Sequence, residues 1–272
     1  MIPPVDSPWR WTGGRPDLAA MPTRMNRRVS DALPALDDLL DRLEEAQRKL
    51  HANGRHGVLL IVQGLDASGK DSLFRALARG LDPAGFRVWS FGVPDREEAA
   101  HDFLWRAVRR YPARGEVVGF NRSQYEAVLA ERQLPGAPSD KRFWKHRFEA
   151  LRHAEHHLVV EGTAVIKVWL HLSREEQRLR LLKRLDEPRK RWKFDPSDLD
   201  TFARRDSYLD AVAEAVQHTH HDDAPWHLVP ADDKPEARRA VADLLARTLE
   251  ALAPAYPATD AAIDAAYRRL LG

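Results

Sequence analysis

The sequence contains no cysteine among its 272 residues, and its formal net charge is only +2 at pH 7. The lack of cysteine excludes a disulfide framework, a catalytic thiolate and a cysteine-based zinc site. A net charge this small gives no indication of nucleic-acid binding by itself. No run approaches the about 18 apolar residues that cross a membrane, and the N-terminus lacks the apolar core of a secretion signal. We therefore expect a cytoplasmic protein, with neither a membrane nor a nucleic acid as partner.

The composition indicates a globular chain, with 43% hydrophobic and 31% charged residues. Residues 1–30 are rich in proline, glycine and arginine and predict an irregular N-terminal arm, whereas residues 31–272 predict a single domain. Trp9 and Trp11 indicate that the arm packs either on its own core or on a partner subunit. We expect a homo-oligomer, a dimer or a tetramer, but a self-packed arm explains the two tryptophans equally well.

Short apolar runs alternate with helical patterns along most of the chain. Strands are predicted at residues 57–62, 86–91, 116–120, 164–172 and 226–230, and helices at 30–51, 73–78, 97–110 and 139–157. This alternation predicts an α/β fold of the P-loop kinase type, with three layers and helices on both faces of a parallel five-stranded sheet. About fifty residues separate the fourth and fifth strands. That length predicts an additional helical lid module at about 174–215.

A glycine-rich loop between the first strand and the next helix carries the pattern G-x-x-x-x-G-K, from Gly64 to Lys70. Its glycines allow the backbone to approach phosphate oxygens, while the loop N–H groups and the helix N-terminus attract an anion. Lys70 adds a full positive charge that reaches the transferred phosphate. Because strand, loop and helix occur in the required order, the pattern predicts a phosphate site. The predicted phosphate contacts are Gly64, Ala67, Ser68, Gly69, Lys70, Asp71 and Ser72.

Two carboxylates distinguish this loop from the common version. Asp71 follows the lysine where a serine or threonine usually ligates Mg²⁺, and Asp66 lies within the loop. A carboxylate in a phosphate cradle repels its ligand unless a cation lies between them. We therefore predict that Asp66 faces a metal ion or orients the attacking phosphate oxygen. The alternative is that Asp66 only caps the following helix.

The end of the third predicted strand supplies Asn121 and Arg122. In P-loop proteins an acidic residue at this place holds Mg²⁺. Asn121 offers a carbonyl oxygen without a charge, so it is predicted to be a weaker metal ligand beside Asp66. Arg122 is a candidate phosphate clamp at the carboxyl edge of the sheet. Its alternative role is a buried ion pair with Glu126 or Asp102.

The predicted lid begins with a basic segment, in which residues 173–193 hold nine basic and four acidic side chains. Arg180 and Arg184 lie four residues apart and share a helix face. A lid that closes over phosphates delivers arginines to the transferred group, so both are candidate catalytic residues and Lys193 is a candidate phosphate contact. The alternative is a solvated face that is held by pairs such as Glu176 with Arg180.

Three segments, Gln63–Asp71, Asp102–Arg106 and Gly119–Glu126, together resemble the type 2 polyphosphate kinase family. The resemblance extends over about residues 30–250 and includes Trp192-Lys193-Phe194. It implies phosphoryl transfer between inorganic polyphosphate and a nucleotide, with Mg²⁺ as cofactor and Mn²⁺ as an alternative ion. The family's functional positions fall on Gly64, Asp66, Gly69, Lys70, Asn121, Arg122, Arg180 and Arg184, and its Asp-Phe-Leu-Trp-Arg motif adds Arg106 as a phosphate or nucleotide contact. The asparagine and the Ser-Gly-Lys-Asp sequence resemble the class that accepts AMP as well as ADP.

These features lead us to expect a reversible, polyphosphate-dependent phosphotransferase that acts on ADP and AMP and forms ATP from ADP. An ATP-dependent nucleoside monophosphate or small-molecule kinase is the alternative enzyme, since it shares the loop and the lid. A regulatory or nucleic-acid-binding P-loop NTPase is a third reading, but it would need a sustained basic surface with interleaved aromatic residues. The sequence has only the local basic cluster of the lid.

Overall fold

A computed structural model describes residues 5–272, apart from the side chains of Lys193 and Ser197. Five strands form one sheet in the order β2-β3-β1-β4-β5, and every adjacent pair is parallel. The strands are β1 (Gly57–Gly64), β2 (Phe86–Ser90), β3 (Val117–Asn121), β4 (Thr163–His171) and β5 (Trp226–Pro230). The predicted parallel five-stranded sheet is therefore confirmed.

Helices cover both faces of the sheet. They are α1 (Arg27–Ala32), α2 (Leu36–Asn53), α3 (Lys70–Leu77), α4 (Arg96–Ala99), α5 (Trp105–Val108), α6 (Lys141–Val160), α7 (Arg174–Asp186), α8 (Ser197–Ala203), α9 (Arg205–Thr219), α10 (Lys234–Ala251) and α11 (Ala261–Leu271). One apolar cluster joins α2, α3 and α10 to the sheet, and a second joins α6 and α9 to its other face. Each helix within residues 5–272 is too short or too polar to cross a lipid bilayer.

The central strands β1 and β4 are buried along their whole length. Lys167, in the middle of β4, is completely buried, and its Nζ donates to Glu155 Oε2 at 2.6 Å and to the Thr219 carbonyl at 2.7 Å. Tyr125 Oη donates to the other oxygen of Glu155 at 2.7 Å. A charge can remain in this core because the ammonium and the carboxylate satisfy each other and their neighbours.

Two predicted helices are interrupted in the structure. The predicted helix at 97–110 is wrong, because α4 and α5 are separated by a turn in which Asp102 Oδ1 accepts from the Leu104 N–H at 2.9 Å. The predicted helix at 30–51 is divided into α1 and α2 around Pro34, since a proline disfavours helical backbone at the residue before it.

The N-terminal arm packs on the chain's own core. The Trp9 side chain is buried in the apolar cluster that includes α2 and α10. The Leu228 N–H donates to the Trp9 carbonyl at 2.8 Å, and the Trp11 N–H donates to the Trp226 carbonyl at 2.8 Å. The arm therefore pairs with β5 along its outer edge, which accounts for both tryptophans without a second subunit.

The segment predicted as a lid divides into two parts with different packing. Helices α7 and α8 carry exposed leucines, Leu179, Leu182 and Leu199. Helix α9 buries Leu209, Val212 and Val216 against α6 in the core. Residues 205–215 of the predicted lid therefore pack on the core. The lid module at about 174–215 stays a prediction.

A buried histidine joins the arm to β5 and predicts a loss of stability in acid. Ser7 Oγ and His227 Nδ1 lie 2.7 Å apart, and burial, with Arg10 nearby, lowers the pKa of His227 from 6.5 to about 3. Below about pH 6.5, His227 is protonated in the unfolded chain but stays neutral in the folded chain. The free energy of unfolding should therefore decrease as the pH falls below about 6.5. His227→Gln should weaken this decrease, measured by urea denaturation at pH 7, 6 and 5.

The exposed His153 on α6 provides the matched control. His153→Gln should keep the pH dependence of the unmodified protein. If His227→Gln and the unmodified protein lose stability in parallel, His227 does not contribute to the acid sensitivity.

Candidate active site

The loop between β1 and α3 has a backbone conformation that requires glycine at two positions. Gly69 adopts a φ of 113°, and a Cβ at Gly64 would lie 2.6 Å from Ser68 Oγ. Ala67 also has a positive φ, 65°, although it carries a side chain. The predicted phosphate contacts from Gly64 to Ser72 lie on this one turn of chain and on the first turn of α3. The geometry is that of a backbone anion cradle at a helix N-terminus.

Lys70 is folded back over this loop. Its Nζ donates to the Gly64 carbonyl at 2.6 Å and to the Leu65 carbonyl at 3.1 Å, and the residue is buried. Burial and the nearby Arg122 lower its pKa from 10.5 to about 8, although Asp66 raises it. An anion that enters the loop would favour the charged ammonium again. Without an anion, burial makes the charged form of Lys70 less stable than it is in water. The predicted phosphate contact of Lys70 stays a prediction.

Asp66 and Arg122 form an ion pair across the loop. Arg122 Nη2 donates to Asp66 Oδ1 at 2.7 Å, and Arg122 has a φ of 62° that is unusual for a residue with a side chain. Burial lowers the pKa of Arg122, but Glu126 and Asp66 raise it above its ordinary value. The alternative role of Asp66 as a helix cap is wrong, because Gly69 is the N-cap of α3 and no side chain caps it. The alternative partner Asp102 is not the one that Arg122 binds.

Asn121 and Asp71 bind each other at the edge of the same loop. Asn121 Nδ2 donates to Asp71 Oδ1 at 2.9 Å, and Ser90 Oγ lies 3.4 Å from the same nitrogen. The usual P-loop arrangement has a hydroxyl on the helix and a carboxylate on the strand. Here the carboxylate, Asp71, is on α3 and the neutral amide, Asn121, is on β3. The negative charge therefore lies on the helix, whereas in the usual arrangement it lies on the strand.

The oxygen atoms at this edge suit a magnesium ion that arrives with its substrates. Among residues 5–272, no group of three histidine, aspartate or glutamate side chains could hold a metal by itself. Mg²⁺ is commonly bound by one or two carboxylates together with substrate phosphates and water. Asp66 and Asp71 supply two carboxylates and Asn121 one carbonyl oxygen, which is a donor set of that kind.

Glu126 is a site residue that the sequence suggested only as a partner for Arg122. Its Oε1 is buried and has no hydrogen-bond partner among the described residues. Burial raises its pKa, while the positive charges of Arg122 and Lys70 lower it. Its position four residues after Arg122 is the only signal that the sequence offered. The structure therefore adds a third carboxyl group, beside those of Asp66 and Asp71, to the electrostatic environment of Lys70.

The Arg180 side chain is buried, with 6% of its surface exposed. Its predicted contact with the transferred phosphate stays a prediction. A guanidinium has five N–H donors, and Nε binds Glu176 while Nη1 and Nη2 take four backbone carbonyls. Those carbonyls belong to Ala67, Ser68, Ala231 and Asp232. No donor remains for a phosphate in this conformation, because the residue instead joins α7 to the loop.

Gln177 and Arg205 add further hydrogen bonds between α7, α9 and the loop region, and the sequence analysis missed both residues. Gln177 Nε2 donates to the Asp66 carbonyl at 3.2 Å. Arg205 Nη1 donates to Gln177 Oε1 at 2.9 Å, and Arg205 also binds the Leu172 carbonyl. Both side chains are buried. The sequence shows only a glutamine and an arginine after β4, and no side-chain pattern indicates that they bind the Asp66 and Leu172 carbonyls.

The other predicted basic residues are engaged elsewhere or lie outside the description. Arg184 Nη1 binds Asp198 Oδ2 at 2.7 Å, linking α7 to α8. Arg106 donates to the Gly92 carbonyl at 3.1 Å and pairs with Glu98 at 3.3 Å. None of these contacts reaches the loop. The side chain of Lys193 lies outside the described residues, so its predicted phosphate contact stays a prediction.

The burial of Arg180 predicts a structural cost for its removal. Arg180→Ala leaves four carbonyls without their donor, and a buried unsatisfied group costs about 1–3 kcal/mol. We expect a loss of about 2–4 kcal/mol in the free energy of unfolding, because water will reach some of these carbonyls. Arg178→Ala is the control, since Arg178 is on the same helix but is exposed and binds only Glu175. Equal stability of the two variants in urea denaturation would contradict the structural role.

Comparisons with known proteins identify the family of this chain. Residues 29–256 match the sequence profile described as Polyphosphate kinase 2 (PPK2). An ADP-polyphosphate phosphotransferase of Rhodopseudomonas palustris is 41% identical over 261 residues, which are 91% of this chain and 90% of that protein. An AMP/ADP-polyphosphate phosphotransferase of Meiothermus ruber is 43% identical over 233 residues, 86% of each chain. The crystal structure of polyphosphate kinase 2 from Arthrobacter aurescens TC1 superposes with a TM-score of 0.88 at 35% identity, over 99% of this chain and 100% of that one. With its phosphate loop, its Asp66–Arg122 pair and these relatives, the chain belongs to the polyphosphate kinase 2 family.

Proposed function

We propose that this protein transfers a phosphoryl group reversibly between inorganic polyphosphate and ADP, and that it also accepts AMP. The observation that carries the proposal is the cradle of Gly64–Gly69 with Lys70 folded over it and Arg122 held across it by Asp66. Backbone N–H groups and two cations around one loop are suited to phosphates and to little else. The names of the two sequence relatives, which include ADP and AMP/ADP as substrates, supply the nucleotide class.

The reaction needs positioning and charge neutralisation more than covalent chemistry. In the proposed mechanism, Lys70 leaves the Gly64 carbonyl to bind the transferred phosphoryl group, and Arg122 neutralises charge on its other side. Asp66 fixes the direction of the Arg122 guanidinium and lies beside the attacking phosphate oxygen. A magnesium ion, when bound by Asp66, Asp71 and Asn121, would shield the negative charges of the two substrates from each other. Arg184 would join the phosphates only if the lid moves away from its contact with Asp198.

Since the proposed substrates are nucleotides, we place the enzyme in the cytoplasm.

We also propose that the protein forms a homo-oligomer. Helix α11 buries none of its residues and exposes Ile263, Tyr267 and Leu270, and an exposed apolar face of this kind indicates an interaction surface. A solution mass equal to that of the single chain would contradict the oligomer.

The function can be tested with Mg²⁺, polyphosphate and either ADP or AMP, in the absence of ATP. ATP should form from ADP, and ADP from AMP, as measured by chromatography of the nucleotides. Lys70→Met should lower turnover about a hundredfold or more while the circular dichroism spectrum stays the same, because a charge that neutralises the transition state is lost. Phosphorylation that requires ATP as donor would support the nucleoside monophosphate kinase instead. Nucleotide hydrolysis without transfer would support the NTPase.

The Asn121–Asp71 pair predicts how the enzyme chooses between AMP and ADP. Asn121→Asp places a second carboxylate against Asp71, where an amide now donates at 2.9 Å. Two carboxylates so close repel each other and any phosphate dianion beside them. We expect kcat/KM to fall for both nucleotides, and to fall further for AMP, whose single phosphate must occupy this place.

A charge exchange isolates the electrostatic cause. The double variant Asn121→Asp with Asp71→Asn restores one amide and one carboxylate in the common P-loop order. It should recover about tenfold or more of the activity lost by Asn121→Asp alone, since residues in contact give non-additive effects. Steady-state kinetics with both acceptors at saturating Mg²⁺ and polyphosphate measure the ratio. If Asn121→Asp alone leaves the AMP to ADP ratio unchanged, Asn121 does not determine acceptor choice.

A further inference from the structure

Arg205, at the start of α9, is a buried cation that the proposed mechanism does not use. The residue is 5% exposed. Its Nη1 donates to Gln177 Oε1 at 2.9 Å, and its Nη2 donates to the Leu172 carbonyl. Both acceptors are uncharged, and no carboxylate of the described residues forms an ion pair with Arg205. Such an arginine is costly for the folded chain, because its charge leaves water without gaining an opposite charge.

The acids nearest to Arg205 are engaged by other groups. Burial has the largest influence on the pKa of Arg205 and lowers it, whereas Asp206 and Asp232 raise it less. Asp206 Oδ1 lies 4.0 Å from Arg174 Nη1, and Asp232 Oδ1 accepts from the Ser173 N–H at 2.8 Å. An apolar side chain of similar volume would fill the place of Arg205 at a lower cost. The retained charge therefore indicates a function other than packing.

Gln177 connects Arg205 to the phosphate loop. The Gln177 side chain lies on α7 and is completely buried. Its Oε1 accepts from Arg205, and its Nε2 donates to the Asp66 carbonyl at 3.2 Å. A guanidinium only donates and a carbonyl only accepts, so the amide satisfies both neighbours in one orientation. Arg205 thereby determines that the N–H group of Gln177 faces Asp66, and we call this pair the Arg205–Gln177 bridge.

Asp66 is held at two points as a result. Its side chain accepts from Arg122 Nη2 at 2.7 Å, and its main-chain carbonyl accepts from Gln177. The following residue, Ala67, has a φ of 65°, so contacts from outside the loop are needed to maintain this turn. The proposed mechanism places the Asp66 carboxylate beside the attacking phosphate oxygen. A displacement of about 1 Å at such a position can lower a rate about a hundredfold.

We propose that Gln177 is a positioning residue for Asp66 and that Arg205 orients Gln177, so that phosphoryl transfer depends on the Arg205–Gln177 bridge. The inference rests on the proposed function and deepens it, because it assigns a role in turnover to two residues that touch neither substrate in that mechanism. The bridge determines where the Asp66 carboxylate lies, whereas Lys70 and Arg122 neutralise charge. In the competing interpretation, the bridge only stabilises the packing of α7 and α9.

The variant Gln177→Glu separates positioning from packing. Glutamate has the shape of glutamine, and its carboxylate would pair with Arg205, but it offers no N–H group to the Asp66 carbonyl. The midpoint of urea denaturation should therefore stay close to that of the unmodified protein. The kcat for ADP with polyphosphate should fall about tenfold to a hundredfold. The KM values should change less than about threefold, because the loop N–H groups, Lys70 and Arg122 still bind the phosphates.

The matched control is Gln47→Glu. Gln47 is also completely buried, and it binds the Asp82 backbone through Nε2 at 3.2 Å and through Oε1 at 3.0 Å. It lies on α2 and contacts the turn before β2, away from the phosphate loop. Gln47→Glu should lower the free energy of unfolding, because it loses the donor to the Asp82 carbonyl. Its kcat should equal that of the unmodified enzyme.

A double-mutant cycle tests the other end of the bridge. Arg205→Met releases the Gln177 amide and should lower kcat by about the same factor as Gln177→Met. The double variant should be about as slow as either single variant, since both changes interrupt one connection. Arg205→Lys keeps one donor and should recover part of the turnover. Arg178→Met, which removes an exposed arginine beside Gln177 on α7, should keep the kcat of the unmodified enzyme.

Hydrogen exchange of the ligand-free protein gives a readout that is independent of activity. The Ser68 N–H donates to the Leu65 carbonyl across the loop at 3.1 Å. Its exchange, measured by NMR, should become about tenfold faster in Gln177→Glu and in Arg205→Met, because the turn opens more often when Asp66 has lost its second contact. The rate should not change in Gln47→Glu.

Three results would overturn the inference. They are an unchanged kcat in Gln177→Glu, a loss of kcat that only follows the loss of stability in every variant including Gln47→Glu, and effects of Gln177→Met and Arg205→Met that multiply in the double variant. Failure of the proposed function is distinguishable from failure of the inference. An unmodified enzyme that transfers no phosphate between polyphosphate and nucleotides refutes the function, while the exchange of the Ser68 N–H still tests whether the bridge holds the loop.

Discussion

The site depends on one constraint, which is that a loop that turns its N–H groups toward a ligand must turn its carbonyls toward the protein. Every carbonyl from Gly64 to Gly69 has a donor. Lys70 binds those of Gly64 and Leu65, Gln177 that of Asp66, Arg180 those of Ala67 and Ser68, and Ser72 that of Gly69. Three of these four donors are buried, and a buried carbonyl without a partner would be costly. Helix α7, which follows β4, therefore supports the backbone of the cradle on the side away from the ligand.

This arrangement also distributes charge. The Arg180 guanidinium donates its hydrogen bonds to backbone carbonyls behind the loop. Its positive charge therefore adds to the electrostatic potential of the cradle without direct contact with a ligand. Lys70 is the one carbonyl donor that can exchange its partner for a phosphate, because its Nζ lies on a flexible chain and burial already lowers its pKa. Asp66 restrains Arg122 in the same way from the other side. The cradle is thus preorganised for an anion, with little rearrangement left for the moment of binding.

Much of the fold was predictable because its signals are local. Buried parallel strands are continuous apolar runs, and the glycine-rich loop, Asn121 and Arg122 follow strands whose ends must meet at one edge. The role of Arg180 was not predictable, since its spacing from Arg184 indicates a helix face but not what covers that face. Its backbone partners lie from 51 to 113 positions away in the chain. The same limit applies to Gln177 and Arg205, whose partners are reached only through the packing of α7 and α9.

The arm has a consequence for the sheet as a whole. A parallel sheet has two outer strands, and the unpaired N–H and C=O groups of an outer strand can pair with another chain. Residues 9–11 cover one of these strands, β5, through the Trp9 and Trp11 backbone and an antiparallel bridge from Arg10 to His227. The other, β2, is short, and Val88 and Trp89 on it are partly exposed. Among the described residues the arm thus makes the sheet one-sided, so that any extension of it by a strand from a second molecule would have to begin at β2.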